Sequence, residues 1–388
     1  MSDPIRLGMH EPNRAEWLEM QRILREARGD QRVLEERVEH LVADLVRRPL
    51  AVAFSSTGAA IEAALEALGA VHGTEVVLPA LGPSVLANAA LRVGTRPLFA
   101  DVDPKSLTLR ETHAAARVTG LTRVLVGVAT HGEPKGLDEI VAIASRNELP
   151  MLEVLAGGLG GRIGRDPVGR FGRIAVVALG ERESTIGSGG AVCVTNEDNL
   201  AHALRLIRNG GCVEPRQEWE RLGGIRRIER VGGDARMGAL QAAFAAVRLE
   251  NFEKISAELD DVFHGYLRRL AMHPDLVLPA PCVEGTVRWS HFAVRLSERY
   301  SRDDRDSIVQ GLLRHDIAAT SVVHVLPHEP AFASEHNGCR HKEGDFPVSE
   351  RAADRLIALP FSTELGEREI DLICQTLQLM IERQSILR

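Results

Sequence analysis

The chain from Leu179 to Asn196 reads LGERESTIGSGGAVCVTN, a polar turn and a glycine pair between two apolar runs. The first run, Ile174–Leu179, ends where the stretch begins, and the second run is Ala191–Thr195. Short apolar runs bounded by glycine and polar residues are typical of buried strands. The stretch therefore predicts two core strands joined by a charged loop.

Upstream of this stretch, apolar runs of strand length alternate with runs of helical period. The predicted strands are Ala51–Phe54, Glu75–Pro79, Pro97–Val102, Arg123–Val128 and Pro150–Leu155. The predicted helices are two within residues 12–48, one following Gly58, Ser84–Leu91 and Leu137–Arg146. Nearly continuous apolar strands that alternate with helices predict a parallel sheet covered on both faces.

Downstream, the chain turns helical and then forms a second, smaller unit. A long helical run is predicted over Met237–Leu259, with Leu240 and Phe244 on its apolar face. A helix at 255–272, a strand at 285–296 and three further helices follow. A chain of 388 residues is too long for one core. We expect an α/β protein: a three-layer αβα large domain (residues 1–250) with a mostly parallel seven-stranded sheet, then a small C-terminal α+β domain (residues 251–388).

The composition limits the kinds of partner and the compartment. With a formal net charge of −7, the chain is a poor match for nucleic acid or an anionic membrane. No apolar run reaches the roughly 18 residues that span a bilayer, and the start has no signal-peptide pattern. Five scattered cysteines are typical of reduced thiols, so we expect a cytoplasmic protein.

Three motifs invite a ligand. Ser56, Thr57 and Gly58 lie between a strand and a helix, where backbone N–H groups can hold a phosphate; an ordinary helix cap is the alternative. The glycine-rich run at 156–164 fails the dinucleotide pattern, because Ile163 replaces the third glycine. Several histidines and Cys339 crowd the loop at 324–341, but their spacing matches no standard zinc site, so no metal is expected.

Six collinear segments give the chain a family resemblance. AFSSTGAAIEAALEALGA (53–70), GGAVCVTNEDNLAHALRLIRNGG (189–211) and LPHEPAF (326–332) are three of them. Together the six resemble the DegT/DnrJ/StrS-type sugar aminotransferases, which use pyridoxal phosphate (PLP) on nucleotide-linked keto sugars. The resemblance implies the fold type I of PLP transferases and a homodimer whose active site lies between subunits.

The family's cofactor residues are replaced in this chain. The aspartate that pairs with the pyridine nitrogen corresponds to Val154, and the lysine corresponds to Arg182 or Glu183, depending on the direction of counting. Neither side chain can form an imine. The remaining replacements are Gly157 for a glutamine, Ala178 for a phosphate-binding serine, Pro83 for the aromatic ring and Asp234 for an asparagine.

These replacements predict a degenerate member of the family. The chain has four lysines, Lys105, Lys135, Lys254 and Lys342, and none falls where the family's lysine lies. We therefore expect no PLP and no other cofactor, with Ser56, Thr57 and Gly58 as the remnant of a phosphate cup.

Three functions remain open. The chain is a non-catalytic partner of an active paralogue, a repurposed enzyme that works without PLP, or a PLP-dependent aminotransferase or dehydratase with an atypical site. Whether it is an enzyme stays open. A homodimer is expected, with a hetero-oligomer as the alternative, and a nucleotide-sugar-like molecule as the possible ligand.

The candidate residues follow from the second function. Glu183 and His131 form a possible acid–base pair, and Arg182 could hold a phosphate or carboxylate. The alternative is that residues 181–184 form only a charged turn. The candidates for substrate binding are Ser184, Asp234, Arg236 and His328.

Overall fold

The computed structural model describes residues 4–8, 12–129, 131–180, 185–213, 227–280, 285–321, 323–333 and 341–387. The helices within these ranges are α1 (Arg14–Glu26), α2 (Gln31–Val46), α3 (Thr57–Ala67), α4 (Val85–Arg92), α5 (Glu111–Ala115), α6 (Leu137–Arg146), α7 (Asp198–Arg208), α8 (Ala239–Glu250), α9 (Phe252–Leu270), α10 (Arg302–Leu313), α11 (Pro347–Arg355) and α12 (Glu367–Ile386). The strands are β1 (Leu50–Phe54), β2 (Glu75–Pro79), β3 (Leu81–Gly82), β4 (Arg96–Ala100), β5 (Thr122–Val128), β6 (Met151–Leu155), β7 (Arg162–Ile163), β8 (Asp166–Pro167), β9 (Ile174–Ala178), β10 (Ala191–Thr195), β11 (Leu276–Val277), β12 (Gly285–Thr286), β13 (Phe292–Leu296), β14 (His324–Val325) and β15 (Leu356–Leu359).

A seven-stranded sheet forms the centre of the molecule, in the order β1-β10-β9-β6-β5-β2-β4. Strand β10 runs antiparallel to both of its neighbours, and the remaining adjacent pairs are parallel. The central strands are buried on both faces, which explains their continuous apolar sequences. The predicted α/β fold with a mostly parallel sheet is confirmed.

Each face of the sheet carries its own helical layer and core. On one face, α2, α6 and α8 contribute residues such as Val38, Ile140 and Ala243. On the other face, α3 and α7 contribute residues such as Ile61 and Leu204. The predicted three-layer αβα arrangement is therefore confirmed. Helices α3 and α6 pack on opposite faces of the same sheet.

The C-terminal part has a separate core. Strands β11, β13 and β15 form an antiparallel sheet, and a third core packs β13 and β15 against α9, α10 and α12. The division of the chain at residue 250 stays a prediction, which we retain as a proposal. Within the described ranges, no helix combines the length and the hydropathy needed to cross a membrane.

Two local predictions are wrong. The helical run predicted over Met237–Leu259 breaks at Asn251, whose side-chain amide donates to the Val247 carbonyl, and α9 begins at Phe252. Leu240, predicted on the apolar face of this run, is 69% exposed. Helical periodicity continues across a tight break, so sequence alone could not place the bend.

A buried carboxylate fixes the connection between β6 and β9. The Glu153 side chain is fully buried and accepts the backbone N–H groups of Gly169, Phe171 and Gly172 at 2.6, 2.8 and 3.1 Å. Burial raises the pKa of Glu153, while these three N–H groups and the positive charge of Arg48 oppose that rise. The carboxylate therefore satisfies backbone donors of the segment that leads from β6 into β9.

We predict that Glu153→Leu lowers the free energy of unfolding by about 4 kcal/mol, because three buried N–H groups lose their acceptor and Arg48 loses its counter-charge. Glu153→Gln keeps one acceptor oxygen and should lose less. Urea denaturation measures both, and Glu253→Gln, on the exposed side of α9, is the control. Equal stability of Glu153→Leu and wild type would show that the network contributes little.

Candidate functional site

The candidate site lies where the parallel strands end, at the start of α3. Ser56 caps this helix, because its Oγ accepts the Ala59 N–H at 3.2 Å. Thr57 Oγ1 donates to the Gly190 carbonyl at 3.3 Å, which ties the helix to the glycine pair before β10. The capping role expected as the alternative is therefore present. The N–H groups of Thr57 and Gly58 lie in the first helical turn, where no earlier carbonyl of the helix can accept them.

The neighbouring strand ends give this site an apolar floor. Val154, at the end of β6, is fully buried between its sheet neighbours Val128 and Val176. Ala178, at the end of β9, is opposite Ala191 and is also buried. The described residues on these strand ends therefore place no carboxylate or hydroxyl at the position of the family's aspartate and serine.

The position of the family's glutamine is closed by a contact from the C-terminal part. Gly157 has a φ of +107°, and a Cβ placed on it would lie 2.3 Å from Ser290 Oγ. Any larger side chain would clash with Ser290 and would also strain the backbone. Glycine at this position is thus required by packing.

His131 lies after β5, beside a histidine of the C-terminal part. Its ring contacts the ring of His291 edge-on, with the centroids 5.8 Å apart, and its carbonyl accepts the Ser290 N–H at 3.1 Å. Burial, with a smaller contribution from His291, lowers the pKa of His131 to about 3. The structure thus brings together two histidines that sequence reasoning did not connect.

Glu181, Arg182, Glu183 and Ser184 lie outside the described residues. The pairing of Glu183 with His131, the clamp by Arg182 and the role of Ser184 therefore stay predictions.

The other candidates for substrate binding are scattered. Arg236 pairs with the buried Glu35 of α2, with Nε 3.1 Å from Oε2. Asp234 is exposed and bridges to Asn209 through the backbone. His328 Nε2 lies 3.3 Å from Glu350 Oε1. Arg236 is thus already part of a structural ion pair, and the binding roles of all three residues stay predictions.

Comparisons with known proteins identify the class. A family model described as the DegT/DnrJ/EryC1/StrS aminotransferase family matches residues 13–378. A pleiotropic regulatory protein of Geobacillus stearothermophilus is 29% identical over 361 residues, which cover 90% of this chain and 91% of that protein. GDP-perosamine synthase of Caulobacter vibrioides is 28% identical over 341 residues, covering 87% and 88%. The chain belongs to the DegT/DnrJ/EryC1/StrS aminotransferase family.

Solved structures agree on the fold. The PLP form of a putative sugar aminotransferase, Spr1654 of Streptococcus pneumoniae, has a TM-score of 0.86 and 17% identity, covering 98% of this chain and 99% of that one. At this identity the likeness shows the fold alone, and it agrees with the three-layer architecture described above.

The prediction that this chain binds no cofactor is wrong. The family consists of PLP-dependent aminotransferases, and the pneumococcal structure is a PLP form, so the comparisons point to PLP. The replacements at Val154, Gly157, Ala178 and Arg182 or Glu183 led to that prediction, but replaced side chains do not remove the backbone donors at the start of α3.

The described residues fit one end of PLP better than the other. The first turn of α3 offers N–H groups and a helix dipole to a phosphate. At the ring end, Val154 cannot hold a proton on a pyridine nitrogen. The ring end of the site therefore does not fit PLP.

We predict that acid destabilises the protein through His131. The pKa of His131 is near 3 in the folded state and 6.5 in an unfolded chain, so the unfolded state binds more protons between these values. Stability should therefore fall as the pH drops below 6.5, by about 2 kcal/mol at pH 5.

Denaturant unfolding at pH 7 and pH 5 measures this loss. His131→Asn should reduce it, since asparagine tolerates the positive φ of 55° found at this position. His264→Asn, on the exposed side of α9, is the control. An unchanged loss in His131→Asn would show that other groups carry the acid sensitivity.

Proposed function

We propose that this protein binds PLP by its phosphate group at the start of α3, without a covalent bond to residues 181–184, and acts on nucleotide-linked sugars. The observation that carries the proposal is the geometry of α3. Ser56 caps the first turn and Thr57 ties it to Gly190, which leaves the N–H groups of residues 57 and 58 without an acceptor in the helix.

The surroundings of α3 support a fixed cup. Ser55 N–H donates to the Ala235 carbonyl at 2.9 Å, and the Gln241 amide donates to the Ser55 carbonyl at 3.1 Å. The loop before α3 is therefore held from two directions. A preorganised loop binds a phosphate at lower entropic cost than one that must first become ordered.

The proposed mode of attachment follows from residue chemistry. Residues 181–184 are Glu, Arg, Glu and Ser, none of which has an amine that could bond to an aldehyde. The nucleotide-sugar part of the proposal is supported by family membership and by the similarity to GDP-perosamine synthase.

We predict that PLP and inorganic phosphate compete for the start of α3. Gly58→Asp should weaken PLP binding at least about tenfold, because a carboxylate in the first turn repels a phosphate. The variant should fold, since a carboxylate there suits the helix dipole, and the new Cβ would lie 3.5 Å from Val85. Gly58→Asn is the neutral control of the same shape.

Isothermal titration measures binding, and borohydride treatment followed by gel filtration tests attachment. PLP should remain removable from the start of α3 after reduction. PLP fixed to a peptide from this site would contradict the proposal, as would wild-type protein that binds neither PLP nor phosphate. GDP-mannose and UDP-N-acetylglucosamine serve as nucleotide-sugar probes, and failure of both to bind would contradict the substrate class.

We also propose that the protein is a homodimer. Ile228, Val231 and Leu240 are 70%, 91% and 69% exposed, and we name them the 228–240 patch. Three large apolar side chains exposed within a short stretch favour burial against another protein surface. Asp234, at the position where the resemblance implies contact with a partner's phosphate, lies in the same segment.

We predict that Leu240→Asp combined with Val231→Asp converts the dimer to monomer, because two charges would be buried in the interface. The carboxylate introduced by Leu240→Asp would lie in the first turn of α8, where the helix dipole favours it, so folding should persist. Light scattering after size exclusion measures the mass, and Met272→Asp, at another exposed apolar position, is the control. A monomeric wild-type protein would contradict the homodimer. A wild-type protein that assembles only with an active relative would support the hetero-oligomer.

A further inference from the structure

A cavity of about 590 Å³ lies beside β13, and we name it the β13 cavity. The loops after β4 and β5 line one side of it with Lys105, His131 and Glu133. The C-terminal part lines the other side with Trp289 and Arg295. This volume is within the range of pockets that bind small molecules.

The β13 cavity is distinct from the phosphate position at α3. Its lining includes the first turn of α6, and α6 packs into the core on one face of the sheet. Helix α3 packs into the core on the opposite face. The cavity lining includes none of residues 55–58 and does not include Gly190, which form the proposed phosphate position.

Two cations line the cavity, Lys105 from one side and Arg295 from the other. The Arg295 guanidinium donates to the Pro104 carbonyl at 2.6 Å. Because Pro104 directly precedes Lys105, the guanidinium lies beside the backbone that carries Lys105. Burial and the nearby charge of Arg355 lower the pKa of Arg295, and the charges of Glu298 and Asp103 oppose that shift. Among the described residues, neither Lys105 nor Arg295 has a carboxylate oxygen within 4 Å. A partly buried guanidinium whose acidic neighbours lie beyond ion-pair distance favours an anionic ligand.

Three carboxylates also line the cavity, those of Glu133, Asp138 and Glu139. Glu133 Oε1 accepts the backbone N–H of Lys135 at 3.1 Å. Burial raises the pKa of Glu133, and the hydrogen bond from Lys135 and its charge oppose that rise. Asp138 and Glu139 belong to the first turn of α6, where the helix dipole stabilises them. Among the described residues, none of these three carboxylates forms an ion pair with Lys105 or Arg295.

The rest of the lining is suited to an apolar body. Trp289 stacks on Phe263 with the ring centroids 5.3 Å apart and the planes within 7°, which fixes a flat aromatic wall. Leu278 and Ile163 add aliphatic surface. His131 Nε2 is buried and has no hydrogen-bond partner among the described residues, so one polar contact remains for a ligand to make.

We infer that the β13 cavity binds a small organic anion with a flat apolar body, a carboxylate or a phosphate monoester. The anion contacts Lys105 and Arg295, and the apolar body lies against Trp289.

The test uses 2-naphthoate, 1-naphthyl phosphate and the neutral 2-naphthalenemethanol, each titrated into the full chain by calorimetry. At least one anion should bind saturably, about tenfold more tightly than the alcohol. A preference for one anion identifies the carboxylate or the phosphate as the ligand's charged group. Equal binding of anion and alcohol, or no saturable binding of either anion, would overturn the inference.

Variants locate the binding. Lys105→Gln and Arg295→Gln should each weaken the anion about tenfold and leave the alcohol unchanged. Lys254→Gln, an exposed lysine of α9 outside the cavity, is the matched control. Arg295→Lys should restore part of the affinity, and thermal unfolding checks that each variant folds. If Arg295→Gln does not fold, the exposed Lys105 still decides, because unchanged affinity in Lys105→Gln contradicts the assignment.

Discussion

The buried carboxylate of Glu153 is the interaction on which the candidate site most depends. It lies one residue before the apolar end of β6 and accepts three backbone N–H groups of the segment that enters β9. Arg48 adds a guanidinium that donates to the Arg170 and Arg173 carbonyls at 2.8 and 3.2 Å. Two buried charges thus hold two adjacent parallel strands, and their carboxyl ends, in a fixed relation.

On this frame, the ligand position offers contrasting chemistry at its two ends. The start of α3 supplies backbone donors that are independent of side-chain identity. The ends of β6 and β9 supply Val154 and Ala178, which pack into the sheet core. Family membership points to PLP, and under our proposal the chain holds this cofactor through contacts that survive these replacements. Backbone contacts meet that condition, because a substitution changes a side chain and leaves the N–H in place.

Some parts of the site could be predicted from the sequence. The strand end before Ser56 and the cap on α3 follow from local chemistry, since a serine hydroxyl reaches an N–H three residues ahead. The contact of Gly157 with Ser290 and that of His131 with His291 join residues more than a hundred positions apart. No periodicity or motif in the sequence predicts contacts between residues so far apart in the chain. The one available signal was the segment Trp289-Ser-His291 before an apolar strand, which the resemblance did not mark as functional.

By itself, the sequence determined the alternation of strands and helices, the capping of α3 and the absence of a lysine from residues 181–184. These properties depend on neighbours within a few residues, and hydrophobic period and residue chemistry encode them directly. The tertiary structure decided the break at Asn251, the exposure of Leu240 and the meeting of Lys105, His131 and Arg295 around one cavity. Those features depend on how the C-terminal part packs against the sheet, and packing between distant segments is set by shape and burial that no local pattern carries.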